Sequence, residues 1–547
     1  MWPSDSAGGG ATITFSLLRI LRTHPPSIMF SLRATTLLMS DTRVTRKIKI
    51  PYGEPIFANV IDGDYFWRDT SSYVATLAEN EVKHQLFLRP PRFGKSFNLS
   101  MLQYYLDVNH KARWDALFGK TEIYAGKDVL KHNSKYHCMA LDFSVDVEDG
   151  SHAAVVAQFR ENISQSVVDF CERYSLPPPR DDIAPIEDLK QAVKRVVNKG
   201  GKVFVLVDEY DRFANTLMFE HREMYAKIVS GKSGDAQSSP IRSFFEALKS
   251  VDARSFTTGI TPIALADASG ANMIKNLTHD PAFGAMCGFR EQDVKRGLQG
   301  VLGESHEALD RVLGLMRYYY DGYRFRSLLG PSWLTEPLYN TQLCLYFFSQ
   351  LQRDPLFSDT VINVWSKDPA SADTKKLTDT NVRISENVTH FLAKHPSLPL
   401  IQASLVGGRS LQATVEGSVR LRELLEYSGP ESVDRLACFL FHHGLVTLKT
   451  PGEIVVPNRL VEDPKKGLLA HLEEVLKSRK INLRGVLATP SAGRVWMLFN
   501  TLLSALGTRF DHAFSEGAVV SCLEAALHEL LVGSINILLY PVVNAPI

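Results

Sequence analysis

This chain lacks most of the features that would place it in a specialised class. Its 547 residues include six cysteines, Cys138, Cys171, Cys287, Cys344, Cys438 and Cys522, and no two form a C-x-x-C pair. A zinc knuckle needs close ligand pairs, so this spacing excludes one and fits buried thiols in a reducing compartment. No apolar run approaches the ~20 residues that carry a helix across a bilayer, so no membrane partner is expected. Charge of one sign is missing too. The chain has 61 Lys and Arg against 60 Asp and Glu, a net charge of +1, without the basic excess of a dedicated polyanion binder. Net charge hides distribution, so a local basic face stays open. Internal repeats and heptads are absent. From Ser6 to Ser40 there is no acidic residue, while Arg19, Arg22 and Arg33 sit among Ser, Thr and Leu. That composition fits a disordered, weakly basic leader or, as the alternative, an organelle transit peptide. The localisation expected is intracellular, cytoplasm or nucleus, with the mitochondrion as the transit-peptide alternative.

From Ile48 the chain reads as alternating apolar strands and amphipathic helices. Lys83–Leu88, His137–Ser144, Val203–Asp208 and Ser255–Ile260 read as strands, and Val203–Asp208 (VFVLVD) is apolar enough to be covered on both faces. Asn98–Val108, Val155–Tyr174 and Ile186–Asn198 have helical spacing. This alternation predicts an α/β fold with a mostly parallel sheet flanked by helices. Beyond Gly297 the pattern turns helical, clearest at Leu313–Tyr320 and Thr341–Leu351, with a polar loop over Lys367–Asn381. Leu421–Tyr427 and Val433–His443 read as a helix pair, then Leu445–Lys449 and Glu453–Val456 as strands around Pro451-Gly452. Helix, helix and hairpin predict a small winged-helix-like module. The domains expected are a leader at 1–47, an α/β domain at 48–300 that holds the motifs below, a helical region at 301–410, the small module at 411–480 and a helical remnant at 481–547.

Arg89–Ser96 reads RPPRFGKS, directly after a strand and directly before a helix. The P-loop pattern G-x-x-x-x-G-K-[ST] occupies that same context. Gly94 admits close backbone approach to a phosphate, Lys95 offers an ammonium to phosphate oxygens, and Ser96 offers a hydroxyl to Mg²⁺. The helix that follows turns its N-terminal amides toward bound phosphate. Arg89 stands where the first glycine of the pattern would be, and Pro90 and Pro91 carry no N–H. The amides of Arg92, Phe93, Gly94, Lys95, Ser96 and Phe97 remain to cradle phosphate. The second motif, VFVLVDEYD at Val203–Asp211, is an apolar strand ending in carboxylates. Asp208 is placed to orient Mg²⁺ and Glu209 to polarise an attacking water. Two adjacent carboxylates at the end of a buried strand are costly unless a cation or solvent meets them. On the next strand, Thr258 or Thr261 is a candidate contact for the γ-phosphate or the water.

These residues together resemble the AAA-ATPase-like proteins, a P-loop family. Tyr65–Tyr73 (YFWRDTSSY) resembles the family's opening segment, with Asp69-Thr70 where Asp-Lys-Thr is usual. The family loop is typically R-P-R-R-F-G-K-[ST], so Arg89 follows the family and Pro91 departs from it. Leu141–Ser144, Asp208–Asp211, Thr258–Ile260, Tyr320–Phe325 (YDGYRF), Leu338–Asn340, Phe439–Thr447 (FLFHHGLVT) and Val456–Asn458 match later blocks in order. The resemblance runs from Ile48 to Asn458. It implies ATP and Mg²⁺ as ligands, with Lys95, Glu209 and Arg92 as catalytic groups. It leaves a nucleic-acid or protein partner and oligomerisation open. Arg89, Arg92, Arg290, Arg296 and Arg324 are candidates for an arginine finger in cis or from a neighbouring subunit. Many relatives end in a PD-(D/E)XK nuclease. Here Glu516 or Glu524 could be its first acid, but the stretch after Leu531 holds no acidic residue and no lysine. The expectation is a truncated, inactive nuclease remnant. The alternative to an ATPase is a decayed interaction protein that binds nucleotide as a switch or not at all.

Overall fold

The computed structural model describes residues 48–461, apart from 126–130, 144–151, 181, 221–239 (Tyr225 excepted), 268–273, 304–306, 326–335, parts of 379–396, 406–407, 416–418 and 426–430. The expected leader, the remnant at 481–547, Cys522, Glu516 and Glu524 lie outside the described residues.

Five strands form one parallel sheet: β1 (His84–Leu88), β2 (His137–Asp142), β3 (Val203–Asp208), β4 (Ala253–Gly259) and β5 (Ile274–Asn276). Their order is β2-β3-β4-β1-β5. Every residue of β1 is buried, as in a sheet covered on both faces. Helices α1 (Phe57–Asp62), α2 (Ser71–Glu79), α3 (Lys95–Leu106), α4 (His152–Arg173), α5 (Pro185–Val197), α6 (Arg212–Glu220) and α7 (Pro240–Ser250) accompany the sheet. α5 shows why such segments are helical. Pro185 sits in its first turn with Glu187 and Asp188, Lys194 and Arg195 lie in its last, and Leu189, Ala192, Val193 and Val196 form one buried stripe.

The order has one consequence for function. β4 lies between β1 and β3, with Leu88 opposite Gly259 and Val207 opposite Thr257. The loop after β1 and the carboxylates after β3 therefore open at the same carboxyl edge of the sheet, one strand apart. That edge is where open α/β sheets bind ligands.

α8 (Glu291–Leu302), α9 (Leu309–Tyr320) and α10 (Thr341–Arg353) make a second core around Leu298, Val312 and Phe348, joined by Ile50 and Phe66. At Gly297 an added Cβ would sit 2.5 Å from the Phe348 ring, so only glycine lets α8 lie this close to α10. Further on, α11 (Leu421–Leu425) and α12 (Glu431–His442) precede an antiparallel sheet of β6 (Leu411–Gln412), β8 (Glu453–Val455) and β7 (Thr447–Thr450). Leu436 and Phe439 of α12 join the same hydrophobic core as the parallel sheet. Cys138, Cys171, Cys287, Cys344 and Cys438 are buried thiols. Among the described residues, no helix is long and apolar enough to cross a membrane.

All four predicted strands of the parallel sheet are present. β5 and β6, of three and two residues, had no periodicity to reveal them. The helix expected at Asn98 begins at Lys95, because Gly94 takes the left-handed conformation (φ 94°) that caps it.

Candidate functional site

Arg89 opens the loop as a buried support. Its guanidinium donates to the carbonyls of Leu88 (2.8 Å), Thr278 (2.9 Å), Phe283 (3.2 Å) and Gly284 (3.2 Å). It also stacks on Phe87 and Phe325, at 4.2 and 4.6 Å from the ring centroids. Burial pushes its pKa down to about 10, which still leaves it cationic at neutral pH. A guanidinium committed this way cannot serve as an arginine finger, and it explains why arginine stands where the general pattern has glycine.

After Arg89 the loop turns its carbonyls into the protein. Lys95 Nζ donates to Arg89 O (3.1 Å) and Pro90 O (3.2 Å). Asn340 Nδ2 donates to Pro91 O (3.4 Å), the Gln342 amide to Arg92 O (3.2 Å), and both Thr341 Oγ1 (3.1 Å) and the Gly288 amide (3.0 Å) to Phe93 O. Asn98 Nδ2 donates to Gly94 O (3.0 Å), and its own Oδ1 accepts from Thr70 (2.7 Å). In a trans peptide the N–H points away from the preceding carbonyl. The amides of Arg92, Phe93 and Gly94 are therefore directed away from those protein donors. α3 adds first-turn amides that have no intrahelical acceptor. Arg92, at φ 70°, and Gly94 supply the left-handed turns this path requires. Phe93 anchors the loop edge-on against Tyr323 and Phe325.

The carboxylates after β3 are held from β4. Asp208 Oδ1 accepts from Thr258 Oγ1 (2.9 Å) and from the Glu209 amide (3.0 Å). Thr258 is buried and spends its hydroxyl on Asp208, so it orients that carboxylate. Asp211 accepts from the amides of Ile260 (3.1 Å) and Thr261 (2.7 Å), from Thr261 Oγ1 (3.1 Å) and from Asn215 (3.0 Å). Thr261, the other hydroxyl candidate, is thus committed to Asp211. A Cβ on Gly259 would come within 2.5 Å of both Asp211 and the Tyr210 ring, so the clamp needs glycine there. Glu209 sits at φ 46°. Burial raises its pKa, opposed by Arg212 and Lys95 and assisted by Asp208 and Asp211. Arg212 forms an ion pair with it at 3.5 Å.

The loop and Glu209 share a cleft of about 1220 Å³, whose lining does not include Asp208 or Asp211; it is ample for a nucleotide-sized ligand against the ~300–1,000 Å³ usual for ligand pockets. Arg92, Phe93, Gly94, Lys95, Ser96 and Phe97 all line it, as do Glu209 and Arg212. Trp67 and Pro55 add an apolar wall, and Asn340, Thr341 and Gln342 close the side opposite the sheet. The hydroxyl of exposed Ser96 and the second oxygen of Asp208 are hard donors of the kind Mg²⁺ takes. Among the described residues no cluster of three His, Cys, Asp or Glu could hold a metal by itself, so any Mg²⁺ here would depend on phosphate oxygens.

The remaining arginines divide clearly. Arg290 donates to Tyr73 Oη (3.2 Å), and Arg296 donates to Trp67 O (2.7 Å) while covering Phe66. Arg324 joins its backbone to Thr447 Oγ1. None of these three lines the cleft, whereas Arg92 does. Arg212 also lines it and was missed in the sequence, where its one signal was adjacency to the acidic pair. Thr341 and Gln342 carried no signal, because their role depends on folding across more than two hundred residues.

Residues 51–269 match the family model described as Predicted AAA-ATPase (AAA-ATPase-like). An uncharacterized protein from the 5′ region of vnfD in Azotobacter chroococcum mcd 1 is 24% identical over 330 residues, which are 57% of this chain and 54% of that relative. The match thus spans about half the relative's length. Among solved structures, Cdc6p of Pyrobaculum aerophilum is similar at 12% identity, covering 80% of this chain and 97% of that one with a TM-score of 0.26. The ORC2 protein of Aeropyrum pernix, in ADPNP–ADP complexes, is similar at 11% identity, covering 77% and 97% with a TM-score of 0.28. Both scores are low, and the fold rests on the strand order and the phosphate loop described above. Neither comparison bears on a nuclease domain. Over residues 51–269, then, the chain is similar to the predicted AAA-ATPase family.

Proposed function

We propose that this protein binds ATP with Mg²⁺ and hydrolyses it, coupling its nucleotide state to a nucleic-acid or protein partner. One observation carries the reading: Lys95, Ser96 and Glu209 line one cleft at the carboxyl edge of the sheet, beside an Asp208 already oriented by Thr258. The amides of Arg92–Gly94 and the first turn of α3 receive the phosphates, and the positive end of α3 favours their charge. Lys95 neutralises the terminal phosphates after leaving the carbonyls of Arg89 and Pro90. Bound Mg²⁺ would stabilise charge on the transferring group. Glu209 accepts a hydrogen bond from the attacking water, and its raised pKa makes it a better base than an ordinary carboxylate. Arg92 and Arg212, which line the cleft as Arg68 and Lys375 also do, are the cations assigned to developing phosphate charge. Phe97, Trp67 and Pro55 offer an apolar surface for the base.

Calorimetric titration of the full chain with Mg²⁺–ATP tests binding. Saturable binding in wild type that is lost in Lys95→Ala supports the reading, and equal heats from the two proteins would remove it.

A second reading is a nucleotide-gated switch without turnover. It is favoured by the pairing of Lys95 with its own loop and of Glu209 with Arg212, which leaves both engaged with protein. Binding without phosphate release would select it.

A further inference from the structure

The carbonyls of Pro91, Arg92 and Phe93 are held by Asn340, Gln342 and Thr341 respectively. These are three consecutive carbonyls of the phosphate loop and three consecutive residues at the start of α10. Asn340 and Thr341 lie 249 and 248 positions further along the chain than the carbonyls they hold. Asn340 also caps α10 by accepting from the Leu343 amide (3.2 Å). Thr341 Oγ1 lies 3.8 Å from where a Cβ on Gly94 would be, so the end of α10 stands directly over the glycine of the loop. The segment is itself fixed by the chain just before α8, since Tyr339 exchanges backbone hydrogen bonds with Phe289 (2.9 and 3.0 Å) and the Gly288 amide donates to Phe93 O. All three donors line the cleft.

We propose that Asn340–Thr341–Gln342 is the positioning element of the phosphate loop and the route by which the loop's state reaches the helical region. This rests on the cleft being a nucleotide site. The geometry gives it two effects. Holding the carbonyls on α10 keeps the opposite amides aimed into the cleft before phosphate arrives, which lowers the ordering cost of binding. Any rotation of a loop peptide when Lys95 exchanges carbonyls for phosphate must strain or release a bond to α10, so the two elements move together. Neither effect needs Thr341 to touch the ligand. It is a positioning residue, and its hydroxyl matters more than its bulk.

The test uses the full chain in three forms: wild type, Thr341→Val, which keeps the shape and removes the donor, and Thr341→Ser, which restores the donor. Binding of ATP, ADP and AMP is measured together with hydrogen exchange at Arg92–Ser96 and at Gln342–Leu345. Expected is a roughly five- to tenfold loss of ATP affinity in Thr341→Val, the cost of about one hydrogen bond. The same substitution should change AMP binding little, and serine should recover ATP affinity. In wild type, ATP should alter exchange at both segments, whereas in Thr341→Val it should alter the loop alone. A purely structural role would weaken all three nucleotides equally and lower thermal stability in proportion, which would overturn the proposal. ATP binding that leaves exchange at Gln342–Leu345 unchanged in wild type would overturn it while leaving the nucleotide site intact. No nucleotide binding by wild type would overturn the site, and this inference with it.

Discussion

The phosphate loop has two sides, and they are built differently. On the sheet side, Asp208, Asp211, Thr258 and Thr261 join strand ends that are neighbours in one sheet, through short bonds from buried hydroxyls and amides. On the other side, pieces from four distant places meet: Tyr323 and Phe325 pack on Phe93, α10 holds the carbonyls, Gly444 abuts Pro90, and Pro457 and Asn458 close over Gly322 and Asp321. The first side is set by strand register and would persist in an isolated sheet. The second exists only when the helical region and the small module are docked. In the function proposed above, chemistry would sit on the sheet side, and whatever reports nucleotide state would belong on the assembled side.

Substitutions can break this division, and the largest effect is expected at Glu209. Glu209→Gln keeps the size and removes the base, so kcat for phosphate release should fall about 100-fold or more with ATP affinity within a few-fold of wild type. Equal turnover would move the chemistry elsewhere. On the assembled side, Gly322 sits at φ 101°, and a Cβ there would lie 1.9 Å from Pro457 O. Gly322→Ala should cost about 3 kcal/mol, seen as a lower denaturant midpoint. It should loosen the small module while the sheet keeps its hydrogen-exchange protection. Uniform loss across both regions would mean they fold as one unit.

Acid provides a milder probe. Burial holds His279 at about 4 and His443 at about 3, both on the assembled side, and His84 at about 4 at the start of β1. Folded values below the ordinary 6.5 mean the unfolded chain binds more protons between those limits. The stability these groups contribute is complete above pH 6.5 and is lost as pH falls from 6.5 toward 4. Asp321 acts in the opposite sense. Burial raises it to about 6, so its contribution is present below pH 4 and is lost as pH rises to 6. Three histidines outweigh one carboxyl, and unfolding midpoints should drop between pH 6.5 and 4.5. His443→Gln should flatten that slope, and an unchanged slope would place the acid response elsewhere.

The smallest effect is expected at Thr258. Thr258→Val removes the bond that orients Asp208 and should lower kcat about tenfold, or ~1.4 kcal/mol, with little change in melting temperature.

Much of the sheet side was legible in the sequence. VFVLVD announces a doubly covered strand and GKS a loop ahead of a helix, although the helix starts at Lys95 and not at Asn98. Thr258 was noticed for the right strand with a different role, because a hydroxyl at a strand end can face a ligand or a neighbouring carboxylate equally well. Arg89 illustrates the limit. Sequence could place it in the loop, but only the fold shows Phe87, Phe325 and four carbonyls enclosing it. The assembled side was legible as an ordered set of blocks without a reason for any of them. Their reason is convergence: YDGYRF, Leu338–Asn340 and FLFHHGLVT meet on one loop, and Val456–Asn458 closes over YDGYRF. Contacts of that range leave no periodicity.

The central claim is that Lys95 and Glu209 serve one ATP in one cleft. Pre-steady-state phosphate release, with Mg²⁺–ATP bound to wild type and to Glu209→Gln in the same preparation, tests it most directly. The account predicts that both proteins bind ATP in one-to-one amounts and that only wild type releases phosphate over many turnovers. Phosphate release that is undiminished in Glu209→Gln would contradict it.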